Sequence, residues 1–476
     1  MEIINKEWST VSTELIQDPN NLNLWQRLVE TAEFNEKRGI TKVTPPPELE
    51  LLRSSYRQLL KKFPLLFNYW IRYADWEFKL GNTSRANEIY LEGLQHLNYC
   101  IELWISYLQF KMNTLTNNLN EILNLFEQAR KLIGYHFHSY EFYKLYLSFL
   151  ENFQTDSNQF LKKYYVLLRI IIEIPIYHYE YFYKKFFDAI AQIGQEEDNK
   201  LISLIAPAKF TYKDNKSLSI ELKNSFMGAY ITTQFKVYEL FNFEKKLSRQ
   251  YFDVKIISKQ QFDTWYQYLE FLELKQYPFS FIELTLHRFL YSTAQYPDSW
   301  IKLADFYIFH GKYNSAKQAL SRGLIYNGDY RPLIKLIDLE IFLKQYLRAR
   351  DLLVNYIKFN ISIPIPIYEK LLSIESMLNK DDDEYIINLF KQIIQETQND
   401  WFFNVLLNYP IDHEKKVSLF KEFEPEFFKG RNGGLYQNAY NKLTKNQDTI
   451  ANNNNNTKNE TVKSFDEDYE LSLNTN

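Results

Sequence analysis

The chain has 476 residues, 45% of them hydrophobic and 17% aromatic, which is enough apolar material for large cores in two or three domains or one long array. A net charge of −3 supplies no bulk attraction to nucleic acid or to an anionic membrane, and the single cysteine, Cys100, excludes an internal disulfide or a cysteine zinc cluster. With only 12 glycines and 14 prolines as punctuation, long helices with few breaks are expected.

Met1 to Ser9 is charged and lacks an apolar core, so no signal peptide is expected there. The longest apolar stretches, such as Ile170 to Ile176, are too short to span a bilayer and contain Glu173 and Pro175. A cytosolic or nuclear protein without membrane contact follows. Trp25 and Leu28 read as a degenerate first repeat, separated from the next by a stiff linker at Pro45, Pro46 and Pro47. Trp70, Tyr73 and Trp76 then lie on one broad face of a helix. Gly81 suits a left-handed helix end, Thr83 or Ser84 can cap the return helix, and Ala86, Ile89, Tyr90, Gly93 and Leu94 form its apolar stripe. The small Ala86 and Gly93 leave room for the rings of the first helix.

Trp104, Tyr107 and Phe110 begin the next unit 34 residues after Trp70, with Ile122, Leu125, Phe126 and Ala129 on its return helix. Tyr143, Tyr146 and Phe149 start another, returning through Lys163 to Ile174. A polar stretch from Gly194 breaks the array before Trp265, Tyr268 and Phe271 resume it, 35 residues ahead of Trp300. There the Trp70 unit is repeated landmark for landmark at an offset of 230: Trp300, Leu303, Ala304, Asp305, Phe306, Gly311, Ala316, Ala319, Leu320, Gly323 and Leu324. Beyond Arg331 the pattern fades, with Leu333 to Phe342 and Ala349 to Ile357 as a further pair and Asp381 to Glu384 as a solvated acidic run. The expected organisation is a repeat block at 1–193, a polar linker region at 194–225, a second block at 226–444 and an Asn-rich acidic tail at 445–476 without the apolar density to fold. Its structural core is assigned to Trp70, Tyr73, Trp76, Gly93, Trp104, Tyr107, Trp265, Tyr268, Trp300 and Gly323.

No catalytic, cofactor-binding or metal site is expected. Gly430, Gly433 and Gly434 lack the Lys-Ser/Thr ending of a phosphate loop and the strand before it. His136 and His138, two apart, diverge on a helix and have no partner ligands in sequence. Asp75 and Glu77 read as structural ion-pair or hydrogen-bond partners of a neighbouring helix. The pairs Lys61 and Lys62, Lys162 and Lys163, Lys184 and Lys185, and Lys245 and Lys246 read as solvated helix edges. The aromatic stripes have the spacing of packed helices, not of a base-stacking platform.

The W-x-x-Y-x-x-W-E run at Trp70 to Glu77, followed by a helix with small residues, resembles the half-a-TPR (HAT) repeat of RNA-processing factors. Further stretches are similar to the pre-mRNA-processing factor 39 family, with its fungal paralogue, factor 42, a close second match: Phe63 to Trp70, Glu102 to Trp104 with Tyr107, Ile174 to Tyr179, and Arg249 to Lys255 ahead of Trp265. The likeness runs over about Leu24 to Leu353, and the chain departs from the family pattern in its short, diverged block after Leu353. The resemblance implies an all-α fold, an alpha-solenoid of tandem HAT helix pairs in two blocks. It also implies a nuclear, non-catalytic scaffold of the U1 small nuclear ribonucleoprotein, which recognises the 5′ splice site. The partners implied are U1 proteins including the zinc-finger C subunit and a second HAT protein, as homodimer or heterodimer, with U1 RNA or pre-mRNA contacted indirectly and no cofactor. Two alternatives stay open: a HAT scaffold of the mRNA 3′-end cleavage and polyadenylation machinery, and a helical-repeat protein that binds RNA directly.

Overall fold

Where the chain stays helical and where it turns is set by a few recurring local devices. The computed structural model describes residues 6–35, 38–115, 118–153, 159–196, 199–207, 210–211, 215–379, 382–427 and 434–444. The Asn-rich tail, Gly430, Gly433 and Asp381 lie outside them. By contact the chain divides into two compact units, Met1–Lys312 and Tyr313–Asn476, so the division falls inside the second copy of the duplicated repeat.

The first unit opens with α1 (Lys6–Gln17), α2 (Leu22–Glu33) and a two-residue antiparallel ladder of β1 (Phe34–Asn35) with β2 (Arg38–Gly39). Helices α3 (Pro46–Lys62), α4 (Phe67–Lys79), α5 (Thr83–His96), α6 (Ile101–Thr114), α7 (Leu119–Ile133), α8 (Tyr140–Phe153) and α9 (Phe160–Ile171) follow, packed largely against their sequence neighbours. Then come α10 (Tyr179–Glu196), α11 (Asn199–Ile205), the thirty-residue α12 (Asn215–Glu244), α13 (Lys259–Leu274), α14 (Phe279–Thr293) and α15 (Pro297–Phe309). The 194–225 stretch therefore holds the end of α10, all of α11 and the start of α12. Every residue of α14 from Leu284 to Thr293 is buried, because α7 packs on it in addition to α13 and α15. The His287 ring stacks on Tyr99 at 4.0 Å, and the Tyr99 N–H donates to the Tyr291 hydroxyl at 3.1 Å.

The second unit contains α16 (Tyr313–Asn327), α17 (Arg331–Phe342), α18 (Tyr346–Phe359), α19 (Ile365–Leu378), α20 (Asp383–Thr397), α21 (Trp401–Leu407), α22 (His413–Phe427) and a last helical run at 434–444. Its far end has a core of its own around Phe390, Phe402, Phe403, Phe420, Phe423 and Tyr436. The fading of the tryptophan pattern after Arg331 thus hides a change of core residues, from Trp first to Leu and Ile, as at Leu333, Ile337, Leu353 and Ile367, and then to Phe, with the helix pairs continuing.

Four first helices, α4, α13, α15 and α17, end in a Schellman motif. Gly81 (φ 91°), Gly311 (φ 71°), Gln276 (φ 53°) and Lys344 (φ 59°) are left-handed, and the next N–H returns five residues to a carbonyl: Asn82 to Glu77, Lys312 to Tyr307, Tyr277 to Leu272 and Gln345 to Glu340, at 2.8–3.1 Å. Two local expectations are corrected and a third is extended. The return helix α5 is capped at Asn82, not Thr83 or Ser84, and the Asn82 amide is committed to Glu77 at 2.7 Å. The prolines are no linker: Pro45 is the N-cap of α3 and Pro46 its first residue, a place where the missing N–H costs nothing. Within the acidic run, Asp382 caps α20 by accepting from the Tyr385 N–H at 2.9 Å, and Asp383 and Glu384 sit in its first turn, favoured by the helix dipole.

Candidate interaction surface

The repeat aromatics face inward. Trp70, Tyr73, Gly93, Trp104, Tyr107, Trp265, Tyr268, Trp300 and Gly323 are buried, while Trp76 is half-buried. A Cβ built on Gly93 would stand 3.0 and 3.1 Å from Trp70 ring atoms and 3.3 Å from Leu103. Four indoles use their N–H in the same way, donating to the carbonyl six residues upstream: Trp25 to Pro19, Trp70 to Pro64, Trp104 to Asn98 and Trp300 to Ala294, at 2.7–2.9 Å. Trp76 instead donates to the buried Glu33 at 2.7 Å. Trp265 has a buried Nε1 with no acceptor and packs its ring under the Arg288 guanidinium at 5.7 Å. These rings are walls between helices, with no ring face offered to a ligand.

The buried carboxylates repeat as well. Glu77 on α4 accepts from Arg53 on the preceding α3 at 2.7 and 3.0 Å, with Arg85 of α5 at 3.4 Å. Glu340 takes Lys317 at 2.6 Å and Arg348 at 3.3 Å, and Glu375 takes Arg350 at 2.6 Å. Burial alone would push the Glu77 carboxyl up, but Arg53, Asn82 and Arg85 together hold it below its ordinary range. Asp75 is exposed and accepts a long bond from Tyr90 at 3.4 Å.

One buried charge cluster joins several elements. Arg288 of α14 donates twice to Glu244 at the end of α12, at 2.6 and 2.8 Å, and Tyr268 of α13 donates to the same carboxylate at 2.9 Å. Burial disfavours the Glu244 anion, yet Arg288, His138 and Tyr268 outweigh it and keep the carboxyl below its ordinary range. His136 and His138 lie in the α7–α8 connection, not on a helix. His136 is buried, its Nδ1 accepts the His138 N–H at 3.0 Å, and burial with the Arg288 and His138 charges holds it neutral, well below 6.5. Such a network, in which the Arg288 Nε is the one donor left without an acceptor, is structural. Among the described residues no group of three or more His, Cys, Asp or Glu is placed to hold a metal.

The lysine pairs are scattered over α3, α9, α10 and the end of α12, with Lys185 tied to Glu151 and Lys245 over the Phe241 ring at 5.6 Å. Gly434 opens the last helical run.

What sequence reading missed is on α12. Leu218, Leu222, Phe226, Val237 and Leu240 bury one face of this helix, which packs on α10. The opposite face is also largely apolar: Ile220, Met227, Ile231, Phe235 and Tyr238 are 63, 44, 47, 64 and 67% exposed, with one polar residue, the exposed Asn224, between the first two. A helix apolar on both sides belongs in an interior or under a partner. The readable signal was the spacing of 7, 4, 4 and 3 along this stripe, obscured because the opposite face is equally apolar. At its C-terminal end the stripe meets a cleft of about 650 Å³ between α12, the start of α8 and the Ile174–Tyr179 turn. Tyr140, Tyr177, His178, Tyr181, Tyr238 and Phe241 supply rings to the cleft, and Glu180 is the one charged residue lining it.

Sequence comparison agrees with this architecture. The family model described as PRP39 N-terminal HAT repeat matches residues 6–188, and that described as PRP39 C-terminal HAT repeat matches residues 238–375. The chain is 31% identical over 369 residues to the Saccharomyces cerevisiae U1 small nuclear ribonucleoprotein component PRP42, covering 74% of this chain and 66% of that one. It is 28% identical to Schizosaccharomyces pombe pre-mRNA-processing factor 39 (63% of this chain, 51% of the relative) and 24% to the Homo sapiens protein of that name (70% and 51%). It thus spans about two thirds of the first relative's length and about half of the other two. Both family models in their expected order, on paired helices, show that the chain belongs to the PRP39 family of HAT-repeat proteins.

Proposed function

We propose that this protein is a nuclear, non-catalytic scaffold of the U1 small nuclear ribonucleoprotein that acts in pre-mRNA splicing and 5′ splice-site recognition through protein contacts. The observation carrying the proposal is the pair of PRP39 matches, over 6–188 and 238–375, together with a relative named as a U1 component. Supporting it, the repeat aromatics and the buried carboxylates are consumed by packing, whereas the exposed apolar surface is of a kind that protein partners cover. On this reading the 1–193 and 226–444 blocks are the two working arrays, 194–225 joins them and 445–476 is an appended tail. The partners are U1 proteins including the zinc-finger C subunit and a second HAT protein, a copy of itself or a paralogue, with RNA reached through them.

Purification of the tagged chain from nuclei followed by sequencing of bound RNA tests the proposal. Strong enrichment of U1 RNA is expected. Its absence overturns the assignment, and recovery of polyadenylation subunits in its place moves the protein to 3′-end processing. Isolated protein should bind short RNA weakly, and an affinity falling steeply with salt would instead make RNA a direct ligand.

A further inference from the structure

We infer that the outer face of α12 is a docking site for one amphipathic helix of a partner protein, laid apolar face down, with a basic side chain at the end that reaches the cleft. The stripe from Ile220 to Tyr238 spans nineteen residues, about 27 Å end to end at about 1.5 Å per step, and is about one helix wide. That footprint, on the order of 300 Å² from these dimensions, is well below the roughly 800 Å² per partner that a stable dimer buries, so a second copy meeting face to face would be held too weakly. A single helix of about five turns fits it.

Two further features fix the character of the occupant. Gly228 stands on this face, three residues before Ile231 and seven before Phe235, and apart from its own helix backbone nothing described lies within 4 Å of where a Cβ would be. Glycine is disfavoured inside a helix, and here nothing in the fold demands it; what it provides is a place where another backbone can approach closely. At the cleft, Glu180 is a carboxylate without a lining cation, beside the exposed rings of Tyr177 and Tyr238. A carboxylate and the negative faces of tyrosine rings select a cation, arginine before lysine.

The test places p-benzoylphenylalanine at Phe235 of the full chain in cells, irradiates, purifies the chain and sequences the cross-linked peptide. The expected product is a segment of another protein with apolar residues at i, i+3 or i+4 and i+7 and an arginine or lysine near one end. Gly228→Leu should cut the cross-link about tenfold or more while leaving the melting temperature unchanged or higher, because it fills open space and suits a helix. Ile231→Asp should abolish it, and Glu180→Lys should weaken it several-fold. A cross-link to RNA, to a second copy of the chain or to a segment without that pattern overturns the inference, as does no cross-link or a yield indifferent to Gly228→Leu. Recovery of U1 RNA with the same purified chain tests the particle assignment separately.

Discussion

Single residues in this protein are held by close fit and by paired charge, and both make sharp predictions. Gly93→Ala pushes a methyl to 3.0 Å from the Trp70 ring with Leu103 behind it, and should cost about 1–3 kcal/mol in urea unfolding. Gly228→Ala is the opposite case, with nothing within 4 Å, and should gain up to about 1 kcal/mol. Equal effects of the two would show that the helix crossing at Gly93 is wrongly placed. In the charge cluster, Glu244→Gln leaves the Arg288 guanidinium buried and half-partnered, at a cost of about 3–5 kcal/mol, whereas the double change Glu244→Leu with Arg288→Met should cost much less than the sum of its parts. Additive losses in that cycle would mean that the two groups are not coupled.

At the scale of elements, the helix pairs were legible because tryptophan, tyrosine and small residues recur with helical spacing, and because Gly81 and Gly311 mark the turns. Gln276 and Lys344 occupy the same left-handed position without announcing it, since the turn is imposed by packing on both sides. Gln276→Gly and Lys344→Gly should therefore each stabilise by about 0.5–1 kcal/mol, and Gly311→Ala should destabilise by about 1 kcal/mol. A loss of stability in Lys344→Gly, read from the denaturation midpoint, would contradict the conformation given to that turn. The prolines at 45–47 were misread because they are a helix-start signal that, without the following apolar face in view, looks like a linker. The aromatic core around Phe403 and Phe420 escaped notice because phenylalanines there replace the tryptophans that set the earlier beat.

For the molecule as a whole, acid is the sensitive direction. Burial lowers the His136 imidazole well below 6.5 and pulls His138 down as well, so the unfolded chain takes up protons before the folded one. The stability His136 confers is complete above about 6.5 and declines as pH falls beneath it, by up to about 1.4 kcal/mol per pH unit, and the exposed His138 adds less because solvent screens it. Glu77, Glu127 and Glu244, held below 4.5, extend the loss to lower pH as each is protonated. Calorimetry from pH 7.5 to 5 should show the melting temperature falling, with a shallower slope in His136→Gln; parallel slopes would mean that His136 titrates normally. Neither histidine's role nor the α12 surface could be read from spacing, since one depends on a residue 152 positions away, Arg288, and the other on which of two apolar faces finds a neighbour. The indole bonds from Trp70, Trp104 and Trp300 have a last consequence, for sequence drift among relatives. Each fixes the number of residues between a tryptophan and the carbonyl six positions before it, so insertions and deletions should avoid 64–70, 98–104 and 294–300 for as long as the tryptophan is kept.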